Sequence, residues 1–142
     1  MTYDLQRFKS AQEQDYKWAL AEIRAGRKQS HWIWYVFPQL KGLGRSYMCA
    51  RYGIDGIGEA KAYLADETLR SRLVEISQAL LELDGNDPVA IMGHIDALKL
   101  RSCMTLFSCV PDSDPVFHAV LDKYYDGMPD QVTLKMLGID LG

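Results

Sequence analysis

Five apolar residues recur at steps of four and three between an aspartate and a glycine. They are Leu69, Leu73, Ile76, Leu80 and Leu83. This spacing is that of one face of an α-helix. Asp66 is a favourable N-cap residue, and Gly85 is a favourable residue just past a helix end. The pattern predicts a helix over about 67–83 with one apolar face against a core.

Shorter signals of the same kind cover most of the remaining chain. In the first half of the chain they predict a helix through Tyr16 and Ile23 with a short one before it from Asp4, and a turn at 53–58 into a short helix. In the second half they predict helices from Asp87 to Gly93, Asp96 to Phe107, Asp114 to Gly127 and after Asp130. We therefore expect an all-α fold of about seven or eight short helices. No linker or repeat divides the chain, so residues 1–142 are predicted to form a single compact domain.

The run from Trp32 to Phe37 is the most apolar stretch of the chain. Its β-branched and aromatic content also suits a strand, but no convincing partner strand exists elsewhere, and an isolated strand leaves its backbone polar groups unpaired. We interpret the run as a central, buried helix that ends near Pro38. Trp32, Trp34 and Phe37 are expected in or against the core.

The composition limits the class of protein. Of 142 residues 48% are hydrophobic, which is enough for a core of this size. No apolar run is long enough to span a bilayer and the N-terminus lacks the pattern of a signal peptide, so we expect a cytoplasmic protein without a membrane segment. Three cysteines without C-x-x-C spacing suggest neither a disulfide framework nor a zinc site. No metal or cofactor is expected.

Positive charge is concentrated in one window. Between Ile23 and Ile54 there are six cationic side chains and no acidic one, whereas ten cationic and 19 acidic side chains lie elsewhere and the whole chain carries −3. Such local charge attracts anionic ligands without making the whole surface basic. The acidic remainder disfavours nucleic acid as a partner. A phosphate-containing small molecule is the expected partner, and the sequence does not determine the oligomeric state.

A set of motifs resembles the bacterial domain-of-unknown-function family 1810. The motifs are the seventeen-residue segment Ser30–Ser46, then Tyr52–Ile54, Glu59–Leu64, Arg72-Leu73 and Asp96–Phe107. The resemblance extends from Phe8 to about Leu137 and implies a compact, mainly helical domain without a settled activity. Some members carry a calpastatin label that these residues do not support. The chain departs from the expected pattern at Asp66, where a histidine is common, and at Met92, which replaces a phenylalanine.

The candidate ligand-binding residues lie mostly in the positive window. Gly42-Leu43-Gly44-Arg45-Ser46 is interpreted either as a backbone concavity that accepts an anion or as a tight turn capped by Ser46. Trp32 either stacks on a ligand ring or packs in the core. One anion-accepting concavity is predicted to be lined by Lys28, His31, Gln39, Lys41, Arg45 and Ser46 with the backbone of Gly42 and Gly44, and to be joined across the fold by Glu59 and Lys99. Trp32 is a further candidate ligand-binding residue.

Three residues are candidates for acid-base chemistry. His31 either caps backbone groups or acts as an acid or base near neutral pH. Glu59 either assists catalysis or caps the first turn of a helix. Asp96 either belongs to the site or forms an ordinary ion pair with Lys99.

Two functional hypotheses follow from these residues. The leading one is a nucleotide- or phosphosugar-binding domain, including an N-glycosidase-type hydrolase in which Glu59 or Asp96 assists water. The aromatic segment and the later Glu-Ala-x-x-Tyr-Leu are also loosely similar to helical families that act on ADP-ribose and riboflavin-pathway intermediates. The alternative is a non-enzymatic interaction module that binds an acidic protein partner or nucleic acid through a basic patch. The sequence does not decide whether the protein is an enzyme.

Overall fold

The computed structural model describes residues 3–139, and this part of the chain forms nine α-helices. They are α1 (Gln6–Arg24), α2 (Ile33–Val36), α3 (Tyr47–Tyr52), α4 (Gly56–Ala65), α5 (Glu67–Leu81), α6 (Pro88–Met92), α7 (His94–Ser108), α8 (Val116–Tyr125) and α9 (Gln131–Met136). The all-α prediction is confirmed. Pairing of the β type in residues 3–139 is confined to one parallel bridge between Leu40 and Ile54. No helix in this range is long and apolar enough to cross a membrane.

Helix α5 packs its apolar face against α1 and α8, as its sequence pattern predicts. Leu69, Leu73, Ile76 and Leu80 are fully buried. The Asp66 side chain caps the helix by accepting a hydrogen bond from the Leu69 N–H at 3.1 Å. The helix ends at Leu81 rather than at position 83.

The N-terminal segment differs from the prediction of two helices, because α1 is one continuous helix of 19 residues. Neither glycine nor proline interrupts it. Gln12, which breaks the apolar spacing, nevertheless faces the core and is 2% exposed. Its amide nitrogen donates to the Tyr35 carbonyl at 2.7 Å and to the Tyr63 hydroxyl at 3.0 Å. A polar residue with satisfied hydrogen bonds therefore continues the buried face.

The aromatic run forms the short helix α2 at the centre of the fold. This helix contacts α1, α3 and α7. Trp32 and Phe37 are each 1% exposed, and their rings lie 6.1 Å apart between centroids. Trp34 is only half-buried and lies at the edge of the core. The predicted central position of the run is confirmed.

Helix α7 starts earlier than predicted. Gly93, with φ of +85°, ends α6 and directly precedes the first residue of α7, His94. The backbone carbonyl of Gly93 accepts from the Ala97 N–H at 3.0 Å. Asp96 is therefore in the first turn of α7 rather than at its N-cap, because the glycine conformation joins the two helices without a loop.

Candidate functional site

One groove brings together residues from the positive window and from α7. The loop after α2 contributes Gln39, Leu43 and Gly44, and the C-terminal segment contributes Asp130 and Val132. Helix α7 contributes Ile95, Leu98, Lys99 and Ser102, which follow the i, i+3, i+4, i+7 spacing of one helix face. The groove has a volume of about 310 Å³. Pockets of about 300 Å³ and above are the usual size for small ligands.

The walls of this groove are unusually apolar for a surface. Ile95 is 68% exposed, Leu98 is 55% exposed and Val132 is 56% exposed. Contiguous exposed apolar residues mark binding surfaces, whereas isolated ones do not need an explanation. The arrangement therefore favours a ligand with an apolar or ring-shaped part.

The segment before α9 is attached to α7 by specific hydrogen bonds. The Arg101 guanidinium donates to the Met128 carbonyl at 2.9 Å, and the Asp130 N–H donates to the Thr105 hydroxyl oxygen at 2.8 Å. The Asp130 carboxylate caps α9 by accepting from the Thr133 N–H at 2.9 Å. These bonds hold the two walls of the groove in a fixed relation.

The loop of residues 39–46 is fixed by close packing and by the bridge to Ile54. The Lys41 N–H donates to the Ile54 carbonyl at 2.9 Å, and the Ile54 N–H donates to the Gln39 carbonyl at 2.9 Å. A Cβ at Gly44 would lie 2.4 Å from the Cys49 Sγ. Gly44 is therefore required so that the loop can approach α3.

The other residues of this loop have local structural roles or point outward. The Ser46 hydroxyl caps α3 and accepts from the Cys49 N–H at 3.1 Å. Gly42 adopts φ of +100°, a conformation that favours glycine. The side chains of Lys41 and Arg45 are exposed and have no hydrogen-bond or ion-pair partner within residues 3–139. Both are exposed cations on the loop whose Gln39, Leu43 and Gly44 line the groove.

Lys28 and Asp96 form a mostly buried ion pair instead of facing a common cavity. The Lys28 Nζ lies 2.9 Å from an Asp96 carboxylate oxygen, and the Lys28 side chain is 7% exposed. The second Asp96 oxygen lies 3.9 Å from the Lys99 Nζ. Because Lys28 already neutralises Asp96, Lys99 can carry net positive charge into the groove.

The remaining candidates lie away from the groove. Trp32 is enclosed in the core, and its Nε1 donates to the Glu22 carboxylate at 3.0 Å, so neither ring face is open to a ligand. His31 is exposed beside it. Glu59 is 3% exposed and lies 2.8 Å from the Arg7 guanidinium. The structure thus places Glu59 in a buried ion pair, away from the groove that Lys99 lines.

Neither the Cys103 thiol nor a cluster of metal-binding side chains provides a second candidate site in residues 3–139. Burial raises the pKa of the Cys103 thiol well above its ordinary value, because the thiolate loses its hydration. Cys103 is therefore not a reactive nucleophile. Among residues 3–139, no group of three or more His, Cys, Asp and Glu side chains is placed to hold a metal ion.

Three of the groove residues are predicted from the sequence, and the others are not. Gln39, Gly44 and Lys99 were predicted as ligand-binding residues, and the structure brings them together. The missed residues are Leu43, Ile95, Leu98, Ser102, Asp130 and Val132. A signal for part of this set exists in the sequence, because α7 carries a second apolar stripe at Ile95 and Leu98 on the face that does not pack in the core.

The comparisons with known proteins identify a family but no activity. The family model described as "Protein of unknown function (DUF1810)" matches residues 2–137. The crystal structure of the conserved hypothetical protein Rv1873 from Mycobacterium tuberculosis is similar, with a TM-score of 0.94 and 44% identity over 97% of this chain and 99% of that chain. A comparison with curated proteins finds no match. The chain belongs to the DUF1810 family of proteins of unknown function.

Proposed function

We propose that this domain binds a small phosphorylated ligand, of the nucleotide or phosphosugar class, in the groove between α7, α9 and the loop of residues 39–46. The observation that carries the proposal is that Lys99, whose ammonium can only donate hydrogen bonds, lines a groove with apolar walls. An ammonium attracts phosphate, and the apolar walls accept a base or a sugar face. Lys41 and Arg45 add exposed positive charge to the loop that contributes Gln39, Leu43 and Gly44 to the groove.

The proposal is a binding function rather than hydrolysis. Glu59 and Asp96, the carboxylates expected to assist water, form ion pairs with Arg7 and Lys28. Neither carboxylate lines the groove. A general base must lie within hydrogen-bond reach of the proton that it removes. The structure offers no such geometry at these two residues.

The alternative of a basic interaction surface has weaker support. Asp96 neutralises Lys28, which removes one of the six cationic side chains from the predicted patch. Binding of an acidic partner to the remaining exposed cations would weaken steeply as salt is added. A small ligand held in a partly enclosed groove would lose less affinity. The salt dependence of binding therefore separates the two functions.

A thermal-shift panel of nucleotides and sugar phosphates tests the proposed function. A ligand at a hundred times its dissociation constant is expected to add about 2.7 kcal/mol to the unfolding free energy. Lys99→Met should remove this gain, because it deletes the charge while Lys28 still compensates Asp96. Lys61→Met, on the exposed face of α4, is the matched control and should keep the full shift. A shift that survives Lys99→Met, or no shift with any ligand, would contradict the proposal.

Arg45→Ala tests the contribution of the loop. The Arg45 side chain is exposed, so its loss should change stability by less than about 0.5 kcal/mol. The apparent affinity for the phosphorylated ligand should fall, and more so at low salt. Unfolding of the variant would instead show that Arg45 has a structural role.

A further inference from the structure

The indole N–H of Trp34 is a buried donor without an acceptor. Among the described residues, its Nε1 is the single buried side-chain nitrogen or oxygen that makes no hydrogen bond. Buried polar groups in folded proteins are almost always paired, so each exception needs an explanation. The neighbouring Trp32 shows the usual arrangement, because its Nε1 donates to Glu22.

Trp34 lines a small inner cavity that adjoins the groove. The remaining lining residues are Ile33, Phe37, Gln39, Met48, Cys49, Tyr52, Gly53 and Lys99. Gln39 and Lys99 line the groove as well, so these two side chains form the boundary between the two spaces. The inner cavity has a volume of about 10 Å³. That volume admits roughly one oxygen-sized atom.

The polar groups around this boundary favour an acceptor atom. The indole N–H and the Lys99 ammonium can only donate, and the Gln39 side chain carries an amide NH₂ beside its own carbonyl oxygen. The Lys99 Nζ lies over the face of the Trp34 ring, 5.1 Å from its centre. An oxygen of an anion can accept from several donors at once.

We propose that the Trp34 indole N–H is a recognition donor for one phosphate oxygen of the ligand bound in the groove. This inference rests on the proposed function and adds the orientation of the ligand. The phosphate lies at the inner end, where one oxygen enters the cavity beside Lys99 and Gln39. The ring or sugar lies outward against Leu98 and Val132.

The free and bound proteins should respond differently to loss of this donor. Trp34→Phe keeps an aromatic ring and removes the N–H that has no acceptor in the free protein. Its melting temperature without ligand should therefore fall only by the effect of the lost ring packing, because no hydrogen bond is lost. Its affinity for the phosphorylated ligand found in the panel should fall at least tenfold. Leu98→Ala, on the outer wall, should weaken binding of that ligand but not binding of inorganic phosphate.

A nuclear magnetic resonance titration of the ¹⁵N-labelled wild-type protein with inorganic phosphate tests the donor directly. The chain has three indole N–H groups, in Trp18, Trp32 and Trp34. The Trp34 signal should move on addition of phosphate, because its proton acquires an acceptor. The signals of exposed Trp18 and of Trp32, which is bonded to Glu22, should stay in place. Sodium chloride at the same ionic strength should move none of them.

The possible results separate the inference from the proposed function. If phosphate moves the backbone signals of Lys99 and Ser102 but not the Trp34 indole, the inference is overturned and the proposed function stands. If phosphate moves no signal of the groove residues, both are overturned.

Discussion

Arg7 and Glu59 form a two-point ion pair across 52 positions of sequence. The Arg7 Nη1 lies 2.8 Å from the Glu59 Oε2, and the Nη2 lies 3.3 Å from the Oε1. The same guanidinium donates to the carbonyl of Gly53 at 3.0 Å, while Glu59 accepts from the Asp55 N–H at 2.7 Å. The pair therefore joins the start of α1 to the turn between α3 and α4.

Glu59→Gln should destabilise the protein by about 3–5 kcal/mol, because it leaves the Arg7 charge without its partner in a buried site. The Arg7 side chain is 11% exposed. Urea unfolding followed by circular dichroism measures the change. Glu13→Gln breaks the exposed pair with Arg72 and is the matched control, with an expected loss of at most about 1 kcal/mol. Equal stability of wild type and Glu59→Gln would refute the structural role.

The Glu22 carboxylate should make stability sensitive to acid. Burial by itself would raise the pKa of Glu22, but hydrogen bonds from the N–H groups of Gln29 and Ser30, the Ser30 hydroxyl and the Trp32 indole outweigh it and lower the pKa to about 2. A carboxylate with a lowered pKa stabilises the folded state when it is charged. This contribution is complete above the ordinary pKa of 4.5 and is lost as the pH falls toward about 2.

The pH effect is measured by comparing Glu22→Gln with the wild type. At pH 7 the variant should be the less stable protein. The difference between the two unfolding free energies should shrink between pH 4.5 and pH 2, because the wild-type carboxylate then becomes protonated. Other acidic groups cancel in this difference. If the difference in unfolding free energy stays constant down to pH 2, the lower stability of Glu22→Gln comes from altered packing or hydrogen bonding and not from the lost charge.

Gly44→Ala should destabilise the loop that forms one side of the groove. The added Cβ would meet the Cys49 Sγ at 2.4 Å, and overpacking of this kind costs about 1–3 kcal/mol. In a Cys49→Ala background the sulfur is absent, so the same substitution should cost less. The double-mutant cycle removes the effect of alanine on the unfolded chain, which is common to both backgrounds. If the changes in unfolding free energy are strictly additive, the contact with the Cys49 sulfur is not the cause of the destabilisation.

Ile76→Ala tests the predicted core face of α5. Ile76 is fully buried, and its truncation should cost about 2–5 kcal/mol in urea unfolding. Val89→Ala is the control, because Val89 on α6 is 44% exposed and should change stability by less than about 0.5 kcal/mol. A neutral effect at Ile76 would contradict the packing of α5 against α1 and α8.

The predicted site residues show which parts of a site can be predicted from the sequence. Gln39 and Gly44 lie close together in sequence, and the structure keeps them in one loop. Lys99 is distant from them in sequence, and the fold brings it to the same groove. Lys28, from the same positive window, is instead used to neutralise Asp96. Charge density in sequence indicates a region but not which charges are already paired.

The sequence by itself determined the helical class, the start of α5 with its Asp66 cap, and the placement of Trp32 and Phe37 in or against the core. These features depend on local spacing and on caps, which act over a few residues, and on the apolar content of the chain.

Only the tertiary structure decided the continuous α1, the ion pair of Glu59 and the groove itself. Each depends on partners that are distant in the chain, such as Gln12 with Tyr63 or Arg7 with Glu59. A polar residue looks the same in sequence whether it faces water or a buried partner. Its role is settled by which groups the packed helices bring within hydrogen-bond distance.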